Sequence, residues 1–236
     1  AYARDMCGRV IVDYDEMMPV AADSELAKWI TERPAVESSW NIKPTQQIPL
    51  ALTSSKDGAK RFVTAHWSLI PRWADSVKLK YPTFNARAES VTEKATFKTS
   101  VPQQRCIIPV TGFYEWSGPA SARTPHAIFG PTPILPIAGL YSWWRSPEGD
   151  WRLTATMLTQ ASAGVMRPLH HRMPVFVAGS LIETWLDPDT PGDQHLVDAV
   201  CEAAVGPASQ LHEFPVAPLR GDGPELIAPA APPSAD

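Results

Sequence analysis

The sequence lacks the patterns that most metal, phosphate and serine-hydrolase sites require. It contains no C-x-x-C and no H-E-x-x-H, glycine is sparse at 13 of 236 residues without Walker-type spacing, and no G-x-S-x-G elbow occurs. The adjacent His170 and His171 would point to opposite faces of a strand, which does not suit a shared metal ion. We therefore expect neither a metal site nor a cofactor.

The sequence also has few cysteines, no long apolar run and a small net charge. The three cysteines, Cys7, Cys106 and Cys201, are widely spaced and odd in number, unlike the disulfide framework of a small secreted protein. No apolar run reaches the roughly 18 residues of a membrane-spanning helix, and no signal-peptide pattern is present. A net charge of −4 gives no global reason to expect nucleic acid or anionic lipid. We expect a cytoplasmic protein with no membrane partner.

Nine tryptophans and 25 prolines are abundant by contrast. They favour a loop-rich fold with aromatic surfaces over a helical bundle. The sequence predicts one compact α+β domain, mainly antiparallel β in barrel-like sheets, flanked by helices. Predicted strands cover 9–14, 48–52, 61–70, 105–116, 125–130, 133–144, 151–159, 172–179 and 211–217, and predicted helices cover 23–33, 91–100, 180–187 and 193–204.

The two ends differ from the rest of the chain. Met6 looks like a start residue, so residues 1–6 are interpreted as a leader or an expression remnant ahead of Cys7. The domain is predicted to span residues 7–222. From about Gly221, and clearly over 223–236, proline and alanine dominate, and this part is predicted to be an unstructured tail.

Positive charge is concentrated between Arg72 and Arg105, a stretch that contains seven basic residues and three acidic ones. Trp67, Trp73, Tyr81 and Phe84 are interleaved with them or lie close by. A groove for single-stranded nucleic acid combines such charges with aromatic rings that stack on bases. A solvated charged face remains an equal alternative.

Several polar residues lie in otherwise apolar strands or loops. Glu115, within "GFYEW", is either a carboxylate whose pKa is raised by aromatic surroundings or a strand-edge glutamate facing water. Asn85 and Arg87 are two apart, so in extended backbone they project to the same side, although a turn asparagine and a surface arginine would look alike. The set is Cys7, Asn41, Asn85, Arg87, Glu89, Glu115, Thr159 and His170.

Taken in order, the motifs "MCGR", "WNIKPTQ", "HWSLIPRW", "FNARAES", "GFYEW", "LTQAS" and "LHHRMPV" resemble those of the SRAP family of abasic-site processing proteins. The resemblance runs from Cys7 nearly to the end of the chain. It implies a mainly β fold with a positive groove for single-stranded DNA. It also implies covalent capture of abasic sites by a cysteine that becomes N-terminal, in a monomer that associates with the nucleoid when on DNA. By resemblance the catalytic residues are Cys7, Glu115 and His170, and the DNA-contacting residues are Asn41, Trp67, Trp73, Asn85, Arg87 and Thr159.

The chemistry of an N-terminal cysteine agrees with that function. Its α-amine condenses with the aldehyde of a ring-opened abasic sugar, and its thiol then closes a thiazolidine ring. In the sequence as given Cys7 is internal, so the reaction requires prior removal of residues 1–6, and the family's peptidase label reflects a proposed self-cleavage. Lyase-like activity is a further expectation. Two alternatives stay open, a thiol hydrolase that uses Cys7, His170 and Asn85, and a non-catalytic single-strand binding module.

Overall fold

The computed structural model describes residues 8–119 and 121–230, and the described chain is organised around two β-sheets. Its strands are β1 (Val10–Val12), β2 (Ser39–Ile42), β3 (Gln47–Thr53), β4 (Lys60–Trp67), β5 (Asn85–Arg87), β6 (Arg105–Val110), β7 (Gly112–Ser117), β8 (Thr124–Phe129), β9 (Leu135–Arg145), β10 (Trp151–Ala161), β11 (Arg172–Pro174) and β12 (His212–Pro215).

Five of these strands close into a barrel. Strands β9, β6, β3, β4 and β10 pair in that order, and β10 pairs again with β9. Every pairing is antiparallel except that of β4 with β10, which is parallel. The short strands β5 and β11 extend the barrel sheet beside β10. The predicted mainly antiparallel, barrel-like α+β fold is confirmed.

The second sheet is antiparallel and has the order β12-β8-β7-β1-β2. The sequence predicted one strand over 105–116, but that strand is interrupted at Thr111, where the chain passes from one sheet to the other. Strand β6 stays in the barrel, whereas β7 enters the second sheet. Thr111 fixes the break because its hydroxyl accepts the backbone N–H of Asp13 at 2.9 Å. The sequence prediction passed over the Thr111-Gly112 pair that marks this change of sheet.

Helices are short and lie outside the sheets. They are α1 (Tyr14–Ala22), α2 (Ile182–Leu186), α3 (Gln194–Ala203) and α4 (Val205–Ser209), with 3₁₀ turns at Ala88–Ser90, Gly164–Met166, Gly179–Leu181 and Pro224–Ile227. The predictions over 180–187 and 193–204 are confirmed by α2 and α3. None of the helices in the described parts of the chain has the length and apolar character needed to cross a bilayer.

The helix predicted over 23–33 is wrong. That segment is a series of turns, and the helix lies one segment earlier, at α1, where Asp13 caps it by accepting the N–H of Asp15 at 3.0 Å. Leu26, Trp29 and Ile30 are buried as a helical period requires. The period therefore identified the buried side chains correctly but not the backbone that carries them. The helix predicted over 91–100 is likewise a run of turns.

The prediction of an unstructured tail is also wrong for residues up to 230. Leu226 is buried within a 3₁₀ turn, and Pro229 forms a bridge with Val216. The backbone oxygen of Gly221 accepts a hydrogen bond from the side-chain amide of Asn41 at 2.8 Å. Because these contacts fix the segment against β2 and β12, its proline and alanine content does not leave it disordered. Residues 231–236 lie outside the described chain.

Candidate active site and nucleic-acid interface

Glu115 lies in the middle of β7, and only 1% of the residue is exposed. It is paired with His126 of the neighbouring strand β8. On the other side of β7, the N–H of Tyr114 donates to the oxygen of Arg9 at 3.0 Å. The described chain thus begins at Gly8, alongside the part of β7 that carries Glu115. The interpretation of Glu115 as a strand-edge residue facing water is wrong.

Cys7 itself lies outside the described residues, so its catalytic role stays a prediction. Gly8, the next residue, is buried. Arg9 lies against β7, the strand that holds the buried carboxylate of Glu115. The adjacency of the first described residues to this strand is the central geometric feature of the site.

Asn85 and Arg87 form the two ends of the three-residue strand β5. The strand runs parallel to β10, with Asn85 opposite Met157 and Arg87 opposite Thr159. Ala86 between them is buried, Asn85 is half-buried and Arg87 is exposed. The sequence prediction that the two side chains project to the same side of extended backbone is confirmed, because Ala86 points the other way.

Trp67 and Thr159 do not reach the surface. Both residues have no exposed area, so a direct contact with DNA, as the resemblance implied, is not available to them in this structure. The indole Nε1 of Trp67 instead donates to the oxygen of Phe84 at 3.0 Å, and the Thr159 hydroxyl donates to the oxygen of Ala86 at 3.3 Å. Their place is beneath β5, where they hold its backbone.

Arg172 also anchors β5, and this residue was not singled out from the sequence. Its guanidinium binds both carboxylate oxygens of Glu89, with one contact at 2.8 Å, and the backbone oxygen of Thr159 at 2.5 Å. The hydrogen bonds from Arg172 lower the pKa of Glu89. Glu89 follows β5 directly, so this ion pair ties the end of β5 to β10 and β11. An arginine at the start of an otherwise apolar strand is the signal that could have identified it.

His170 lies in the turn that precedes β11, not in a strand. The expectation that His170 and His171 point to opposite faces is therefore wrong, and their ring centroids are 4.3 Å apart. Nδ1 of His170 lies 3.1 Å from the backbone nitrogen of Arg172 and 3.3 Å from its backbone oxygen, so both tautomers of the neutral ring have a backbone partner there. Burial, aided by the charges of His171, Arg123 and Arg172, lowers the pKa of His170 against the opposing effect of the Arg172 backbone. The ring is consequently neutral at pH 7.

Asn41 is buried in β2, with an exposed fraction of 5%. Its amide nitrogen binds Gly221, but its oxygen Oδ1 is buried and has no hydrogen-bond partner among the described residues. Four residues later, Thr45 adopts a φ of 76°, an outlier for a β-branched residue. Such strain concentrates at functional sites. Asn41 as a DNA contact stays a prediction.

Trp73 and Tyr81 are the exposed aromatics of the basic stretch, with 60% and 51% of their areas exposed. Their loop is held at Ala74, whose oxygen accepts the indole N–H of the buried Trp144 at 2.7 Å. Arg72, Lys78 and Lys80 are exposed beside them. Rings presented on a fixed loop among cations have the composition of a single-strand stacking surface.

Arg105 does not belong to that basic surface. It is 2% exposed, and its guanidinium donates to the backbone oxygens of Trp185 at 2.8 Å and Thr190 at 3.0 Å, and to Val101, Pro102 and Asp187. Its charge serves the packing of α2 against the barrel. The excess of positive charge in this stretch at the surface is correspondingly smaller than the sequence suggested. Within the described ranges, no cluster of three histidine, cysteine or acidic side chains is arranged to hold a metal ion.

Comparison with known proteins decides the family. A sequence model of the family described as SOS response associated peptidase (SRAP) matches residues 6–219. The chain belongs to the SRAP family. The resemblance found in the sequence motifs is confirmed.

Relatives within the SRAP family carry consistent names. The abasic site processing protein YoqW of Bacillus subtilis is 31% identical over 231 residues, covering 94% of this chain and 99% of the relative. YoaM from the same organism is 35% identical over 163 residues, covering 68% and 70%. HMCES of Xenopus tropicalis is 32% identical over 181 residues, covering 64% of this chain and 54% of the relative. All three are named abasic site processing proteins.

Solved structures show the same fold. A protein from Bacteroides thetaiotaomicron superposes with a TM-score of 0.72 at 21% identity, covering 96% of this chain and 98% of that one. A phage-related protein from Bordetella bronchiseptica gives 0.69 at 26% identity, covering 89% and 94%. The barrel with its second sheet is therefore the fold that this chain shares with them.

Proposed function

We propose that this protein recognises abasic sites in single-stranded DNA and captures them covalently through Cys7. Membership of a family whose relatives are named abasic site processing proteins supports the processing of abasic sites. The observation that carries the covalent step is the buried Glu115 on the strand that runs alongside the segment leading from position 7. The products of capture are a shielded lesion and an intact DNA strand.

The reaction needs proton transfer. An α-amine with a pKa of about 7.7–8.0 is only about a tenth to a sixth neutral at pH 7, so most molecules must first lose a proton. The free amine of Cys7 attacks the sugar aldehyde, water leaves, and the thiol adds to the imine carbon to close the thiazolidine. We assign Glu115 to accept and return these protons, a role that typically contributes about 10²–10⁴-fold to a rate.

His170 has a different task. Because its pKa is lowered, the ring is neutral at pH 7, and we assign its proton to Nε2 because Nδ1 lies nearer to the N–H of Arg172, at 3.1 Å, than to its oxygen, at 3.3 Å. A neutral donor suits the ring oxygen of the closed sugar, which needs a hydrogen bond as the ring opens to the aldehyde. We assign His170 to assist that ring opening.

Binding of the DNA strand falls to residues around β5 and the basic loop. Arg87, exposed at the end of β5, offers the planar fork that binds phosphate in a bidentate manner. Asn85 lies beside it, where an amide can bind the abasic sugar or its phosphate. Trp73 stacks on bases that flank the lesion. For Asn41 the resemblance alone supports a DNA contact, because its oxygen Oδ1 is buried.

Thiazolidine formation requires the amine and the thiol of the same residue. Residues 1–6 must therefore be absent from the active form, whether through trimming at Met6 or through self-cleavage ahead of Cys7. The active form is proposed to act as a monomer in the cytoplasm, on DNA of the nucleoid.

Denaturing gels test the proposal. The protein is mixed with single-stranded DNA that carries one abasic site, with the intact strand, and with the matching duplex. A heat-resistant adduct only on the abasic single strand is expected. Turnover of a peptide without any adduct would favour a thiol hydrolase, and salt-sensitive binding that ignores the lesion would favour a plain binding module.

A further inference from the structure

A row of hydrogen-bonded side chains runs across the second sheet beside Glu115. The hydroxyl of Ser117 lies 2.8 Å from Nε2 of His126, and Nδ1 of the same ring lies 2.6 Å from a carboxylate oxygen of Glu213. The three residues come from β7, β8 and β12, which are neighbours in the sheet. The row was not identified from the sequence, where Glu213 is 87 residues from His126.

The register of the sheet places this row against Glu115. His126 is directly opposite Glu115, and Ser117 is two residues beyond Glu115 on the same strand, so all three share one face. Opposite residues in an antiparallel pair have Cβ atoms about 4.5–5.5 Å apart. A glutamate and a histidine span that separation directly or through one water.

The row also leads outward. Glu115 is buried, whereas the side chain of His126 is 13% exposed and that of Glu213 is 30% exposed. A carboxylate at the exposed end exchanges protons with water, while the buried one cannot do so without an intermediary. The hydrogen-bonded row of Ser117, His126 and Glu213 therefore runs from the neighbourhood of the buried carboxylate toward solvent.

The proposed capture reaction releases one proton. A protonated α-amine, a thiol and an aldehyde give a thiazolidine, one water and one proton, and about nine tenths of the amine starts protonated at pH 7. Glu115 takes this proton at a buried position and must lose it before the next transfer. Reversal of the link requires the opposite movement.

We propose that Ser117, His126 and Glu213 form a proton relay between Glu115 and solvent. This inference rests on the proposed function of Glu115. With the ring neutral and its proton on Nδ1, Nδ1–H donates to Glu213 and Nε2 accepts from the Ser117 hydroxyl. A proton from the Glu115 carboxyl passes through one water to the Ser117 oxygen while the original hydroxyl proton moves to Nε2. The imidazolium holds the charge beside Glu213 until water removes a proton.

The same three residue types form the triad of serine hydrolases. That chemistry additionally needs donors aimed at a developing oxyanion. The position of this row opposite a buried carboxylate favours proton exchange instead. His126 is accordingly a positioning and relay residue, and no bond between Ser117 and substrate is part of the proposal.

The test measures the rate of adduct formation at saturating abasic single-stranded DNA, with the protein beginning at Cys7. His126→Gln keeps a polar side chain of similar reach, but its amide does not accept and release a proton near pH 7, and we expect at least about a tenfold slower rate. His126→Ala leaves a gap, and added imidazole should restore much of its rate while leaving the wild type unchanged. His212→Ala, an exposed histidine on β12, is the matched control and should react like the wild type.

A slowed His126→Ala that imidazole does not restore, or a His126→Gln at the wild-type rate, overturns the relay. If the histidine variants do not fold, Ser117→Ala breaks the row with a smaller change and is expected to slow the reaction; a wild-type rate for it also overturns the relay. Cys7→Ser separates the two proposals. A durable adduct on Cys7→Ser contradicts the proposed function, whereas wild-type rates for the relay variants with an inert Cys7→Ser contradict the relay alone.

Discussion

The indole N–H of Trp67 donates to the backbone oxygen of Phe84 at 3.0 Å, and the two rings meet edge to face with centroids 5.9 Å apart. Phe84 immediately precedes Asn85. A fully buried barrel residue thus fixes the start of the strand that presents Asn85 and Arg87. We therefore expect Trp67 to affect DNA binding only through that strand.

Replacing Trp67 tests this relationship. Trp67→Phe removes one of the two hydrogen bonds to the oxygen of Phe84, which keeps the N–H of Met157 at 3.0 Å, and it leaves a gap beside a fully buried ring. We expect a loss of about 1–3 kcal/mol in the free energy of unfolding and weaker DNA binding. Trp151→Phe, at a site that is 64% exposed, is the matched control and should change neither. Chemical denaturation and equilibrium binding measure both effects. A stable Trp67→Phe with normal binding would contradict this role.

The ion pair of Glu89 with Arg172 predicts a pH dependence. Because Arg172 lowers the pKa of Glu89 in the folded protein, the carboxylate contributes stability that is fully present above its ordinary pKa of about 4.3 and is lost as the pH falls through the lower folded value. The difference in free energy of unfolding between wild type and Glu89→Gln should therefore shrink on acidification below about pH 4.3. If this difference in the free energy of unfolding instead grows as the pH falls, the proposed role of the ion pair is contradicted.

The exposed aromatics predict how single strands bind. Trp73→Ala is expected to weaken binding of single-stranded DNA by about 1–3 kcal/mol, the usual contribution of one stacked base. Trp151→Ala removes an equally exposed indole from the β9–β10 hairpin and should have little effect. Affinity should also fall with salt at a log–log slope of about −0.7 per phosphate contacted. Equal affinity for duplex DNA without salt dependence would count against the surface.

Sequence reasoning recovered what depends on local pattern. The alternation around Ala86 correctly predicted that Asn85 and Arg87 share a side, and the order of motifs correctly predicted the family. It failed where the outcome depends on contacts distant in sequence. The change of sheet at Thr111 is fixed by Asp13, about a hundred residues away. Trp67 and Thr159 lie within the family motifs but are buried, because the packing of the barrel determines which of these side chains reach the surface.

The row of Ser117, His126 and Glu213 shows the same limit. Each residue is unremarkable in its own strand, and only the pairing of β7 with β8 and of β8 with β12 brings them together. The prediction for the segment after Gly221 was wrong for a related reason. Its composition is that of a disordered tail, but Asn41 and Val216 hold it in place through contacts that composition does not encode.

Glu115 and Arg87 are predicted to have separable roles. Glu115→Gln should slow formation or reversal of the adduct by about 10²–10⁴-fold while DNA affinity stays nearly intact, because it removes a proton-transfer group. Arg87→Ala should weaken binding instead, because it removes a phosphate contact. Timed denaturing gels beside equilibrium binding distinguish the two. Loss of affinity alone in both variants would leave Glu115 without a catalytic role.

The central claim is that Cys7 links to the abasic sugar through its own amine and thiol. Intact mass spectrometry after mixing with abasic single-stranded DNA tests it most directly, with the full chain, a protein that begins at Cys7, and Cys7→Ser compared in parallel. The protein that begins at Cys7 should gain the mass of the oligonucleotide less one water, in a product that survives heat in denaturant, whereas the serine variant should give a labile product. A heat-stable adduct on a chain that still carries residues 1–6 would contradict the thiazolidine.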